Sequence, residues 1–157
     1  MLTVKSNLGK VTESLIGKLR SLSTTELQDK LTREIATTVL PNMRYRIHTE
    51  GKDSQDKAFG EYNNAYLKRR QQKPYNRTSD PTIVLSLTRQ MENDFSVVKN
   101  RSRNGYGLGF KNSFNGQKAL WLQQRYGRYY IPDPNELKLL RDTTEQFIKD
   151  LTNNAIY

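Results

Sequence analysis

The chain has one histidine, His48, and no cysteine. Side-chain chemistry near neutral pH would therefore rest on a single imidazole, and any metal would have to be held by carboxylates beside that ring. His48 stands near Glu50 in IHTEG with no ligand spacing around it, which points to a surface histidine or a hydrogen-bonded structural one rather than a catalytic one. The acid pairs Asp53/Asp56 and Glu92/Asp94 occur in polar contexts, with no apolar run beside them to shift a carboxyl pKa. Loop and helix-capping duties suit them better than general acid–base work. Gly105-Tyr-Gly-Leu-Gly109 has some of the texture of a phosphate-binding glycine loop. It lacks the Lys-Ser/Thr ending and a helix start behind it, so it reads as a strand with close backbone packing. No catalytic residue, metal site or cofactor is expected.

A second chemistry is anion binding. The stretch YLKRRQQKPYNR, residues 66–77, places Lys68, Arg69, Arg70, Lys73 and Arg77 together without an acid, between Tyr66 and Tyr75. Those cations could contact phosphates and the rings could stack on bases. Arg101 and Arg103, with Lys111 after them, form a second basic group. The net charge of +10 is unevenly spread: from Tyr66 to Arg128 thirteen Lys and Arg face three acids, and the rest of the chain carries thirteen of each sign. Such a bias suits a surface facing something anionic. No helix-turn-helix, zinc finger or ribonucleoprotein motif is visible, so base-specific readout is not expected. A sequence-blind phosphate surface, a solvated loop and a protein-docking arm all fit the stretch.

The elements that must position these residues are legible in outline. Leu8, Val11, Leu15, Leu19 and Leu22 make a helical stripe. Ser23-Thr-Thr-Glu26 reads as a capping box for a second helix through Leu27, Leu31, Ile35 and Val39, closed by Pro41. MRYRI, residues 43–47, alternates like a short strand or a last frayed turn. Residues 51–80 are polar and poor in aliphatics, an extended loop or arm in which Phe59 to Arg70 could form a short helix. TIVLSL after Pro81 has the composition of a buried strand, and LTRQMENDF that of a helical turn. Phe95–Phe110 is expected to be a β-hairpin turning at Asn104-Gly105. Asn115 could cap a short helix ended by Gly127. A final helix is expected with Asp133 as N-cap, Pro134 at N1 and Glu136 at N3, burying Leu137, Leu140, Thr144, Phe147 and Leu151.

These elements imply one α+β domain over residues 1–157: a helical region at 1–42, the arm at 51–80, and the hairpin with the C-terminal helix at 81–157. Apolar residues make up only 34% of the chain, against roughly 45–50% usually, on a count that includes Gly. The core must be thin, which leaves apolar surface to be completed by neighbouring subunits. No apolar run approaches the ~18 residues of a membrane span, and the first residues lack a signal-peptide core, so a soluble protein used in a cytoplasm is expected.

In order and texture, residues 45–150 resemble the small tail-completion and virion-morphogenesis proteins of tailed bacteriophages, which form rings at the neck between head and tail. The carrying features are IHTEG, FGEYNNAYLKRR, VLSLTRQMENDF, the FSVV/GYGLGF hairpin, KALWLQQRYGRYYIPD and a terminal amphipathic helix. One departure is Thr88-Arg89, where the family usually has Thr-Gly. The resemblance implies a non-enzymatic structural virion protein in the head–tail connector, assembled in the host cytoplasm as a ring of six or twelve copies. It implies contacts with other connector, portal or tail proteins, and nonspecific contact with packaged DNA. In that picture Phe59, Tyr62, Tyr66, Lys68, Arg69, Arg70, Lys73, Tyr75 and Arg77 belong to an inter-subunit arm. Arg101, Arg103 and Lys111 face the lumen or the next ring. The alternative is a sequence-nonspecific nucleic-acid-binding protein.

Overall fold

The computed structural model describes residues 24–100 and 105–153. The N-terminal stripe Leu8–Leu22, Ser23 of the capping box, and Arg101 and Arg103 lie outside these residues.

The first described helix, α1, spans Thr25–Tyr45 with Thr24 as N-cap. Half-buried Leu27, Leu31 and Ile35 lead into buried Ala36, Val39 and Met43. Pro41 does not close this helix. It lies on the exposed side, while Met43, Arg46 and Ile47 beyond it are buried. A proline inside a helix costs about 3 kcal/mol; burying two large apolar side chains contributes about 1.5–3 kcal/mol each. Burial wins, and MRYRI is helical rather than a strand, continuing into a π-helical turn at Arg46–Glu50. Gly51 ends that turn in the left-handed region, φ 68°, with the Ile83 carbonyl so close that a Cβ would come within 2.1 Å of it.

Residues 51–80 do not form a free extended arm. Isolated bridges pair Lys52 with Ala58 and Glu61 with Thr82. Helix α2, Asn64–Gln71, is capped by Asn63, whose Oδ1 accepts from the Tyr66 amide at 2.8 Å. The segment is stitched to the run after it by backbone bonds: Tyr62 N donates to Pro81 O at 2.7 Å and Ile83 N to Gly60 O at 2.9 Å. TIVLSL is correspondingly extended but not a strand in a sheet. Its carbonyls go to side chains instead, Val84 O to the Tyr62 hydroxyl and Leu87 O to Arg77 Nε.

Helix α3, Gln90–Asp94, runs directly into β1, Phe95–Lys99, which pairs antiparallel with β2, Tyr106–Phe110, in the register Val97 to Leu108. Helix α4, Ser113–Tyr126, is capped by Asn112 rather than Asn115. Asn115 is buried and donates to Asp94 Oδ2 at 2.9 Å, a carboxylate oxygen that also takes the Asn112 amide. Helix α5, Pro134–Asn153, begins as expected: Glu136 N donates to Asp133 Oδ1 at 2.7 Å, and Glu136 Oε2 accepts from Asp133 N at 2.8 Å. Its inward face uses Glu136, Leu139, Leu140 and Phe147, whereas Leu137 is exposed. The class is α+β, helices around one small antiparallel hairpin.

Val39, Met43, Ile47, Phe95 and Tyr129 form the buried centre. Tyr130 stacks within 4.5 Å of Tyr129 and 4.6 Å of Phe95, and Phe59 sits 5.5 Å from Tyr129. Beside this centre Arg46 is buried with a full set of acceptors. Nε and Nη2 reach Glu136 at 2.9 and 3.0 Å; Nη2 also donates to Tyr129 O and Ile131 O, and Nη1 to Lys52 O. Glu136→Ala would leave this guanidinium buried with only Asp133, 3.4 Å from Nε, as counter-ion, at an expected cost of up to about 3–5 kcal/mol. Asp133→Ala removes a cap, at about 1 kcal/mol, and only the longer of the two carboxylate contacts to Arg46. Urea unfolding of both variants checks the ranking; similar small losses would show that Arg46 does not depend on Glu136.

Candidate anion-binding groove

Helices α2 and α4 become the walls of a groove of about 680 Å³. On one side stand Tyr62, Asn63, Tyr66 and Arg70 from α2 and the turn before it; on the other, Lys118, Leu122, Arg125 and Tyr126 of α4. The run from Ile83 through Met91, extended as far as Leu87 and then turning into α3, makes the floor. Four cations line it, Arg70, Arg89, Lys118 and Arg125, against one acid, Glu61.

Arg70 is only 4% exposed. Its guanidinium lies over the Tyr62 ring, 4.1 Å from the centroid, and Nη1 donates to the Tyr62 hydroxyl at 2.7 Å. That hydroxyl in turn donates to Val84 O and accepts from Val84 N. Burial raises the Tyr62 pKa, opposed by the nearby Arg70 charge, so the phenol stays protonated and able to donate. Arg70 Nε has no hydrogen-bond partner. Arg77 donates to Leu87 O at 3.0 Å and to Ser86 Oγ at 3.3 Å. Desolvation, then the charges of Arg89 and Arg70, lower its pKa, and Glu92 acts the other way. Among the described residues none of Arg70, Arg77, Arg89, Lys118 and Arg125 forms an ion pair with a carboxylate.

Arg89 stands where the resemblance noted in the sequence would put a glycine, and its backbone is left-handed, φ 56°. The Thr88-Arg89 turn thus takes a conformation that glycine adopts without strain and arginine adopts at a cost of roughly 1–2 kcal/mol.

The residues singled out in the sequence divide into three groups. Phe59, Tyr62, Arg70 and Arg77 are engaged within the chain: Phe59 packs against the core, Tyr62 and Arg70 stand in the groove wall, and Arg77 is anchored to Leu87 O and Ser86 Oγ. Tyr66 lines the groove and packs on Tyr62 with centroids 5.2 Å apart; Tyr75 is half-buried. Lys68, Arg69, Lys73 and Lys111 are exposed. Sequence reasoning missed Arg89, Lys118 and Arg125 as neighbours of Arg70. No local spacing links them, although Arg in place of Gly at position 89 was a visible anomaly.

His48 supports the floor from the core side. Its Nδ1 lies 3.1 Å from Leu85 O and its Nε2 3.3 Å from the Tyr130 hydroxyl. With a carbonyl facing Nδ1, that nitrogen carries the proton and Nε2 accepts from Tyr130. The ring is neutral, and burial lowers its pKa to about 4, against an opposing pull from Glu92. Among the described residues no group of three or more His, Cys, Asp or Glu is placed to hold a metal ion. Compared with protein-family models, curated proteins and solved structures, the chain finds no match in any of the three.

The histidine gives a signed pH dependence. Above the ordinary value of 6.5 both folded and unfolded rings are neutral and no penalty exists. Between 6.5 and about 4 the unfolded ring takes a proton that the folded one refuses. Stability should therefore fall with pH across that window, by up to about 3 kcal/mol. Urea midpoints for wild type and His48→Gln check this: the variant should lose that part of the acid sensitivity, and equal slopes would contradict it.

Proposed function

We propose that the protein is a structural virion subunit of a tailed phage, forming a ring at the head–tail connector, in the tail-completion position, through which DNA passes. The observation that carries the reading is the outward face of α4. Phe114, Leu120 and Trp121 lie opposite the buried Asn115 and Ala119, and they are 54%, 57% and 53% exposed. Singly exposed apolar residues are ordinary; three large ones gathered on one helix face of a chain with so small a core mark an interface. In a closed ring every subunit covers such a face with the complementary face of the next copy. The order of motifs from IHTEG to the terminal helix supports the neck assignment, and exposed Lys68, Arg69, Lys73 and Lys111 suit a surface beside DNA.

A second reading, a sequence-nonspecific nucleic-acid-binding protein, is favoured by the groove's unpaired cations and its tyrosines. Mass photometry and negative-stain microscopy separate the two. On the ring reading the purified protein forms closed rings, alone or on a partner connector. Trp121→Glu should then shift it to monomers while its thermal stability changes by no more than about 0.5 kcal/mol. A stable wild-type monomer that shifts short duplexes, with affinity falling steeply as salt rises, would favour the second reading and remove the first.

A further inference from the structure

The groove between α2 and α4 has a feature that ring assembly does not use. Arg70 is buried yet retains an unpartnered Nε, and it lines the groove. A buried guanidinium held by one hydroxyl and one ring face lacks the counter-charge that such groups ordinarily find. Arg89 lines the same space, and both it and Arg70 lie close enough to act electrostatically on Arg77. Glu61 is the one acid in the lining.

We propose that this groove seats an extended acidic–aliphatic peptide segment of another protein, one of whose carboxylates docks on Arg70 and Arg89. The positive charge calls for an anionic occupant, and the floor decides which kind. Ile83, Leu85, Leu87, Met91 and Leu122 make it aliphatic. The bases of a nucleic acid seek flat rings to stack on, and an aliphatic floor offers them none. An extended peptide fills such a floor, because alternate side chains point to opposite sides: aliphatic ones enter the floor while acidic ones meet the cations on the walls. A guanidinium is well matched to a carboxylate, which it can bind through two parallel hydrogen bonds. The chain's own first 23 residues have the wrong sign for the role, with Lys5, Lys10, Lys18 and Arg20 against Glu13. A segment of another protein is therefore taken as the occupant.

The test is fluorescence polarisation on the full-length protein, with three labelled probes: a short peptide alternating Asp and Leu, its Asn–Leu counterpart, and oligothymidylate of equal charge. The Asp–Leu peptide should bind and the Asn–Leu peptide should not. Arg89→Gly removes a charge where the backbone already has a glycine-like φ of 56°, and it should weaken the Asp–Leu peptide about tenfold. Arg70→Met should abolish binding; should that variant fail to fold, Arg89→Gly decides alone. No binding of the Asp–Leu peptide, or equal binding of the Asn–Leu peptide, overturns the proposal. So does oligothymidylate binding that Arg89→Gly weakens while peptide binding is unchanged. The probes are read on whatever oligomer the protein forms, so failure here leaves the ring reading to stand or fall by its own experiment.

Discussion

Everything in this structure is arranged around a buried arginine that must not be left alone. Arg46 sits at the end of α1, where the chain would otherwise expose five unsatisfied donors to an apolar interior. Glu136, at the first turn of α5, supplies the nearer counter-charge and Asp133 a second one, and the carbonyls of Lys52, Tyr129 and Ile131 supply the remaining acceptors. One side chain thus fixes α1, the turn after it, the segment leading to α5 and α5 itself. Buried ion pairs are often no more stabilising than apolar replacements, because desolvation offsets the attraction. Their effect is specificity: only one mutual placement of these elements satisfies the group.

The same device recurs wherever the chain lacks aliphatic residues. Arg44 donates to the Phe95 carbonyl, Tyr62 to that of Val84 and Arg77 to that of Leu87. Each captures a backbone group that a sheet would normally pair, which is why residues 83–87 remain extended without joining the hairpin. Tyrosines thicken the thin core. Tyr129 and Tyr130 combine large buried surfaces with a polar end that finds a partner, Ala119 O for Tyr129 and His48 for Tyr130. The residues from Tyr126 to Asp133, which look like a connection, are therefore central to the packing.

These economies leave two unlike surfaces. One is the apolar outward face of α4, which suits contact with another subunit. The other is the groove on the flank of the same helix, where arginines used to organise the fold keep charge in reserve. Lys118 and Arg125 belong to α4 as well, so a partner seated in the groove would lie next to the apolar face. Assembly and partner binding could then be coupled through a single helix.

Local features were legible in the sequence because their physics is local. The Asp133–Glu136 capping box, the Pro134 start of α5, the hairpin and the helical turn before it all depend on residues close together in the chain. Distant partnerships were not legible. Arg46 meets Glu136 across ninety residues, and nothing in MRYRI shows whether its arginine points outward or inward. Pro41 reads as a stop until the burial of Met43 and Ile47 beyond it is known. The stretch YLKRRQQKPYNR reads as one basic arm, yet the fold splits it, burying Arg70, anchoring Arg77 and leaving Lys68, Arg69 and Lys73 outside. Composition by itself determined that the protein would be basic, thinly cored and without cysteine chemistry. Which cations became scaffold and which stayed free was decided only in three dimensions, because an arginine's role depends on the acceptors that folding brings to it.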